Sequence, residues 1–132
     1  MECVLITGNL GYIGLVLTEE LLKENYDLIG IDTNFYSDYY LYKNKLNQKI
    51  HQIKKDIRDI KINDLKGVNF VIHLAALSND PLGKLNPNLT NTINFKSSLR
   101  LAKLAKKANV SRFLLSSSCS IYGDTKNEKL NE

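Results

Sequence analysis

The stretch Val4-Leu5-Ile6-Thr7-Gly8-Asn9-Leu10-Gly11-Tyr12-Ile13-Gly14 restricts the fold more than any other part of the chain. A short β-rich apolar run meets three regularly spaced glycines, and Ile13, Leu17 and Leu21 then recur at helical intervals through about Asn25. This order of strand, tight turn and helix repeats with variations downstream. Leu28 to Ile31 reads as a second strand ending on Asp32, and Thr33 to Lys49 as a polar, tyrosine-rich irregular stretch with room for one short helix. Ile50 to Lys55 is a weaker third strand. Val68 to Leu74 is apolar almost throughout, as a parallel strand covered on both faces should be, and enters a loop at Ser78-Asn79-Asp80-Pro81. A long helix is expected from Pro87 to about Ala108, and Val110 to Leu115 is the fifth strand. In that helix Leu101, Leu104, Ala105 and Ala108 form an apolar stripe opposite Lys96, Arg100, Lys103 and Lys107. Phe95, Leu99 and Ala102 form a second stripe, expected to belong to the core, with a partner helix as the alternative.

Alternating strands and helices of this kind predict an α/β, Rossmann-type parallel sheet of about five strands with helices on both faces. At 132 residues, 43% of them hydrophobic, the chain fits a single domain, residues 1–132. The net charge of +4 comes from 18 basic and 14 acidic residues without a clustered basic block, which argues against nucleic acid or a membrane surface as partner. Met1-Glu2-Cys3 is followed by only three apolar residues before Thr7-Gly8, so neither a leader pattern nor a membrane span is read here, and a cytoplasmic location is expected. Cys3 and Cys119 lie apart in apolar segments and read as reduced, buried thiols. With His51 and His73 they make no ligand cluster, so no metal is expected.

The glycines of a strand–turn–helix junction have a chemical meaning. Gly8 allows the tight turn, Gly11 lets backbone approach a pyrophosphate, and Gly14 lets the helix pack close to the strand. The phosphates of a dinucleotide would then meet free N–H groups at the positive end of the helix. Asp32 stands 18 positions beyond Gly14 at the end of the second strand, where a carboxylate can accept hydrogen bonds from both ribose hydroxyls. It would repel a 2′-phosphate, which favours NAD over NADP. The expected cofactor contacts are therefore Thr7, Gly8, Asn9, Leu10, Gly11, Tyr12, Ile13 and Gly14, then Asp32 with Thr33 and Asn34 after it.

At this point the chain resembles the N-terminal part of the extended short-chain dehydrogenase/reductase family, the NAD-dependent nucleotide-sugar epimerases and dehydratases, with motifs covering nearly its whole length. The family's TGxxGxxG is Thr7 to Gly14. Its acidic-Ile/Leu-Arg motif is Asp56-Ile57-Arg58, and the resemblance implies that Asp56 and Ile57 contact adenine; alone, Asp56 reads as a solvated strand end. Its H-x-A-A/G motif is His73-Leu74-Ala75-Ala76, which implies that Leu74, Ala75 and Ala76 lie beside the cofactor. His73 itself reads as structural, bonded to neighbouring backbone. Asn94, followed by Ser97-Ser98 where the family often shows Gly-Thr, matches the helix asparagine near the nicotinamide half. Ser116-Ser117-Ser118-Cys119-Ser120-Ile121-Tyr122-Gly123 matches SSxxVYG. The match adds Ser116 to the cofactor contacts and makes Ser118 the catalytic hydroxyl that bonds the reacting oxygen of the sugar; without it the serines read as a strand-end cap.

The family's hydride chemistry also uses a Tyr-x-x-x-Lys pair, the lysine lowering the tyrosine pKa. Tyr39/Lys43 and Tyr122/Lys126 have the spacing, but the first precedes the third strand and the second begins in the IYG element, with Gly123 and Asp124 making a poor helix interior. The resemblance places the true pair, the last strands and the substrate domain beyond Glu132. The expectation is the NAD-binding portion of a nucleotide-sugar epimerase/dehydratase, incomplete and without turnover of its own. A stand-alone NAD-binding or partner-binding module is the alternative, with a homodimer or a complementing chain covering the edge of the fifth strand.

Overall fold

The computed structural model describes residues 1–35, 50–78, 80–118 and 121. Five strands form one sheet: β1 (Cys3–Thr7), β2 (Asp27–Asp32), β3 (His51–Lys54), β4 (Phe70–His73) and β5 (Arg112–Leu115), in the spatial order β3-β2-β1-β4-β5. Every pairing is parallel. The register sets Thr7 beside Ile31 and His73, Asp32 beside Lys54, and His73 beside Leu115, so the carboxyl ends of all five strands finish in one row. The chain builds outward from β1 to β3 and then crosses back to place β4 on the other flank of β1. That reversal is the position where open α/β sheets form a crevice.

Both faces of β1 are covered, which explains its uninterrupted apolar run. On one face Val4, Ile6 and Leu28 pack against Leu21 and Leu22 of helix α1 (Tyr12–Lys23). On the other, Leu5, Ile31 and Val71 meet Leu101 and Ala105 of helix α4 (Ser98–Lys107), together with Ile57, Ile60 and Leu65 from two 3₁₀ turns, Ile57–Asp59 and Ile62–Leu65. The Lys23–Glu20 ion pair, at 2.7 Å on the solvent side of α1, is peripheral to this scaffold.

Three expectations need correction. The buried face of α1 is not led by Ile13, which is 61% exposed, but by Gly14 and Thr18. Small residues sit there because the helix N-terminus crosses directly over the glycine turn. The second stripe of the long helix is not core: Phe95 is 62% and Leu99 45% exposed, while Ser97, Leu101 and Ala105 face the sheet. The stretch at Asp80-Pro81 is not a loop; Asp80–Leu85 forms a short helix, α2, with proline at an early position where its missing N–H costs nothing.

The long helix also has internal structure. It starts as α3 (Pro87–Thr90), capped by the Asn86 side chain accepting from Leu89 N–H at 3.0 Å. It then widens into a π-helical segment, Asn91–Ser97, before continuing as α4. Cys3 is half-buried rather than fully buried, and burial, with Asp27 nearby, raises its thiol pKa. Cys119, most of the 33–49 stretch, Asn79 and both Tyr-x-x-x-Lys spacings lie outside the described residues. Among the described residues β5 pairs only with β4, no helix is long and apolar enough to cross a membrane, and no acidic, histidine or cysteine cluster could hold a metal.

Candidate functional site

The turn after β1 is shaped by two close approaches. Gly8 adopts φ +75°, its N–H donates to the Ile31 carbonyl at 2.8 Å, and a Cβ on it would stand 2.8 Å from the Ala75 nitrogen. A Cβ on Gly14 would lie 2.2 Å from the Gly8 carbonyl oxygen, so the first turn of α1 rests on the turn's own backbone. Gly11 is the extended N-cap of α1, without a side-chain cap, and no acidic side chain stands in the helix's first turn. The N–H groups of that first turn have no intrahelical partner, and the helix dipole makes the place favourable for an anion.

Asp32 is tied into this turn. One carboxylate oxygen accepts the Leu10 N–H at 3.2 Å and the other accepts the Asn34 N–H at 2.8 Å, so the strand end and the glycine turn share one side chain. Asn34 is held in the left-handed region at φ 59°, a conformation asparagine tolerates. Asn9 behaves differently from its neighbours. Its side chain is 1% exposed and pairs with Gln52, donating to Oε1 at 2.7 Å and accepting from Nε2 at 3.3 Å. The pair lies over Gly30, where a Cβ would fall 2.3 Å from Asn9 Nδ2.

At the end of β3, Asp56 caps the following 3₁₀ turn. Its Oδ1 accepts from Arg58 N–H at 2.8 Å and Nε at 2.9 Å, and its Oδ2 from Nη2 at 2.7 Å. The Arg58 guanidinium holds the Asp56 carboxyl below the usual carboxylate range. Ile57 beside it is buried in the core, and Lys55 is engaged by Asp64 at 2.7 Å.

His73, 1% exposed at the end of β4, connects side chains rather than neighbouring backbone: Nδ1 meets Thr7 Oγ1 at 2.5 Å and Nε2 meets Ser98 Oγ at 2.8 Å. Burial without a compensating charge pushes its pKa down to about 4, so the ring is neutral. Ser98 Oγ donates to the Asn94 carbonyl at 2.7 Å. The Asn94 side chain in turn grips Leu77 twice, accepting from its N–H at 2.8 Å and donating to its carbonyl at 3.0 Å. This contact lies in the π-helical segment, a geometry that often marks a site.

These strand ends surround one cleft of about 1100 Å³, above the roughly 300–1,000 Å³ of pockets for drug-sized ligands and so roomy enough for two joined nucleotides. Of the residues expected at a site, Gly8, Leu10, Gly11, Tyr12, Ile13, Gly14, Asp32, Thr33, Asp56, Ile57, Leu74, Ala75, Ala76, Asn94, Ser116 and Ser118 line it. Thr7, Asn9 and Asn34 do not line it; Thr7 and Asn34 are bonded to residues that do, Ala75 and Asp32, while Asn9 pairs with Gln52 beneath the turn. Phe35, Lys55, Ile93 and Ser98 also border the cleft without having been expected there, and Ser78, at the start of the Ser78-Asn79-Asp80-Pro81 segment, borders it too. Phe35 was within reach of sequence reasoning, as an aromatic three residues past the strand-end Asp32, whereas nothing local marks Ile93. Ser116 N–H donates to the His73 carbonyl at 3.1 Å, which carries the β4 and β5 exits side by side into the opening.

Known proteins share this sequence pattern and this fold. A UDP-glucose 4-epimerase of Schizosaccharomyces pombe is 33% identical over 142 residues, covering 92% of this chain and 36% of that protein. UDP-glucuronic acid decarboxylase 1 of Arabidopsis thaliana is 30% identical over 127 residues, covering 92% of this chain and 27% of that one. Among solved structures, a UDP-N-acetylglucosamine 4-epimerase from Methanobrevibacter ruminantium superposes with a TM-score of 0.84 at 30% identity, over 99% of this chain and 42% of that chain. The UDP-glucose 4-epimerase of Bifidobacterium longum, solved with NAD+ and UDP, gives 0.80 at 28% identity, over 98% and 41%. The chain thus spans between about one fifth and two fifths of the length of the curated relatives it matches. The family profile matches residues 4–132, from β1 through the serine-rich exit of β5, and the chain belongs to the NAD dependent epimerase/dehydratase family.

Proposed function

We propose that the chain is the NAD-binding portion of an enzyme that epimerises or dehydrates a nucleotide-sugar. The hydrogen bond from Leu10 N–H to Asp32 carries the reading, because it sets a ribose-binding carboxylate and a pyrophosphate-binding helix end at a fixed spacing on one cleft. NAD bound there would supply the acceptor for a hydride leaving the sugar. The residues present fit it. Gly11 has only the Gly8 carbonyl near its missing Cβ, at 3.3 Å, which leaves its cleft side open to a pyrophosphate. Tyr12, Ile13 and Gly14 offer the N–H groups of the first helical turn. Each Asp32 oxygen keeps acceptor capacity after its backbone bond, which suits the two ribose hydroxyls, with Thr33 and Asn34 shaping that end.

Toward the adenine, Asp56 Oδ1 already accepts two bonds, so Oδ2 is the oxygen with capacity for an amino group, beside the side chain of Ile57. Leu74, with the small residues Ala75 and Ala76, presents an apolar wall to the nicotinamide half. Asn94 acts there by holding Leu77, and Ser116 stands at the adjoining strand exit. Ser118 is the hydroxyl assigned to the reacting oxygen of the sugar, and it borders the same cleft. The epimerases and decarboxylase named above, all acting on UDP-sugars by their names, support the substrate class.

Calorimetric titration tests this. NAD should bind the chain more tightly than NADP, and Asp32→Ala should weaken NAD about tenfold or more, as the loss of charge-assisted hydrogen bonds does. No heat with NAD would remove the cofactor assignment, and a preference for NADP would remove the role of Asp32.

A further inference from the structure

We infer that His73 is a positioning residue for the cofactor cleft, holding the Leu74–Leu77 wall in register with the glycine turn through Thr7 on one side and Ser98 on the other. The inference deepens the NAD reading above and rests on it.

The polarity of the connection follows from counting protons. Ser98 has a single hydroxyl proton, and it goes to the Asn94 carbonyl at 2.7 Å. Toward His73, Ser98 therefore accepts, and Nε2 carries the ring proton. A neutral ring with its proton on Nε2 has a bare Nδ1, so Thr7 must donate to it. With its own proton spent, Thr7 Oγ1 accepts the Ala75 N–H at 3.4 Å. The result is one directed chain, from Ala75 N–H through Thr7, His73 and Ser98 to the carbonyl of Asn94, in which each group has one role.

This chain touches the wall at both ends. At the near end it fixes Ala75, the residue against which Gly8 packs so closely that a Cβ would stand 2.8 Å from its nitrogen. At the far end it fixes the Asn94 turn, whose side chain grips both backbone groups of Leu77. The β1 turn that would carry the pyrophosphate and the wall beside the nicotinamide are thus referenced to the same imidazole. Only the neutral Nε2–H tautomer satisfies every member.

Thr7 makes the test clean, because it is fully buried and does not line the cleft, so it cannot act by touching a ligand. Thr7→Val keeps the shape and removes the hydroxyl; Thr7→Ser restores it. NAD titrations should show Thr7→Val weakened about tenfold and Thr7→Ser within about twofold of the unaltered chain. Nitrogen-15 spectra of the imidazole should show a single Nε2–H tautomer in the unaltered chain and a mixture in Thr7→Val. If Thr7→Val fails to fold, Ser98→Ala probes the other ring nitrogen and should also weaken NAD and mix the tautomers. Unchanged NAD affinity in the folded variants, or a ring proton found on Nδ1, overturns the inference while leaving NAD binding itself intact. Absence of NAD binding by the unaltered chain overturns both.

Discussion

Gly14 crosses the Gly8 carbonyl so closely that a Cβ on it would stand 2.2 Å from the oxygen. No flexible side chain can yield there, since the obstructing atoms are backbone of Gly8 and Asn9. Gly14→Ala must therefore lift the start of α1 away from the strand. Overpacking costs about 1–3 kcal/mol in ordinary cores, and this site should reach or exceed that range. Denaturant unfolding should show the loss, and NAD titration should show binding weakened by more than tenfold, because the displaced groups are those that would meet the pyrophosphate. Native-like stability with native-like binding would mean that α1 does not rest on the turn.

The Asn9–Gln52 pair makes a second prediction. Gly30→Ala would put a Cβ 2.3 Å from Asn9 Nδ2 and 2.6 Å from Gln52 Oε1. The amide pair would have to separate, leaving buried polar groups short of partners, at about 1–3 kcal/mol. Asn9→Ala combined with Gly30→Ala should be less damaging than the two changes added together, since the space opened by one receives the other. Strict additivity in a double-mutant cycle would contradict this contact.

The two sides of α4 should respond differently. Leu101→Ala removes a fully buried side chain and should cost about 2–5 kcal/mol. Leu99→Ala, on the exposed stripe, should change stability by less than about 0.5 kcal/mol. Comparable losses at both positions would show that the second stripe is packed after all.

Stability should fall on mild acidification because of His73. Burial lowers its pKa from 6.5 to about 4, so between those values the unfolded chain binds a proton that the folded chain refuses. The contribution is complete above pH 6.5 and is lost as pH falls toward 4, on the order of 3 kcal/mol in all. Asp56 and Asp64, whose folded pKa values are lowered from 3.8, act in the same direction but only at lower pH. Unfolding midpoints measured from pH 7 to 4.5 should decline in the unaltered chain and flatten in His73→Gln. An equally steep decline in that variant would assign the effect elsewhere.

Much of this architecture is legible in the sequence, for reasons visible in particular residues. Strands buried on both faces must be apolar, so Val4 to Ile6 and Val68 to Leu74 announce themselves, and the glycine turn is visible because backbone crowding leaves no other residue there. The Ile13 stripe misleads because the close crossing selects Gly14 and Thr18 for the inner face, where apolar periodicity is a poor guide. Phe95 and Leu99 mislead for the opposite reason, being apolar without being covered. The side-chain partner of Asn9, Gln52, is 43 residues away and so invisible to local pattern. The tautomer of His73 depends on Thr7 and Ser98 from two other elements, so the motif marks the position without revealing its bonds.

The most direct measurement is an NAD titration followed through backbone amide resonances of the chain. If the glycine turn and Asp32 hold the cofactor, the largest shifts fall on Gly11 to Gly14, on Leu10 and Asn34 beside the Asp32 carboxylate, and on Ala75 to Leu77. Shifts concentrated on the outer faces of α1 and α4, or no saturable shifts at all, would contradict it.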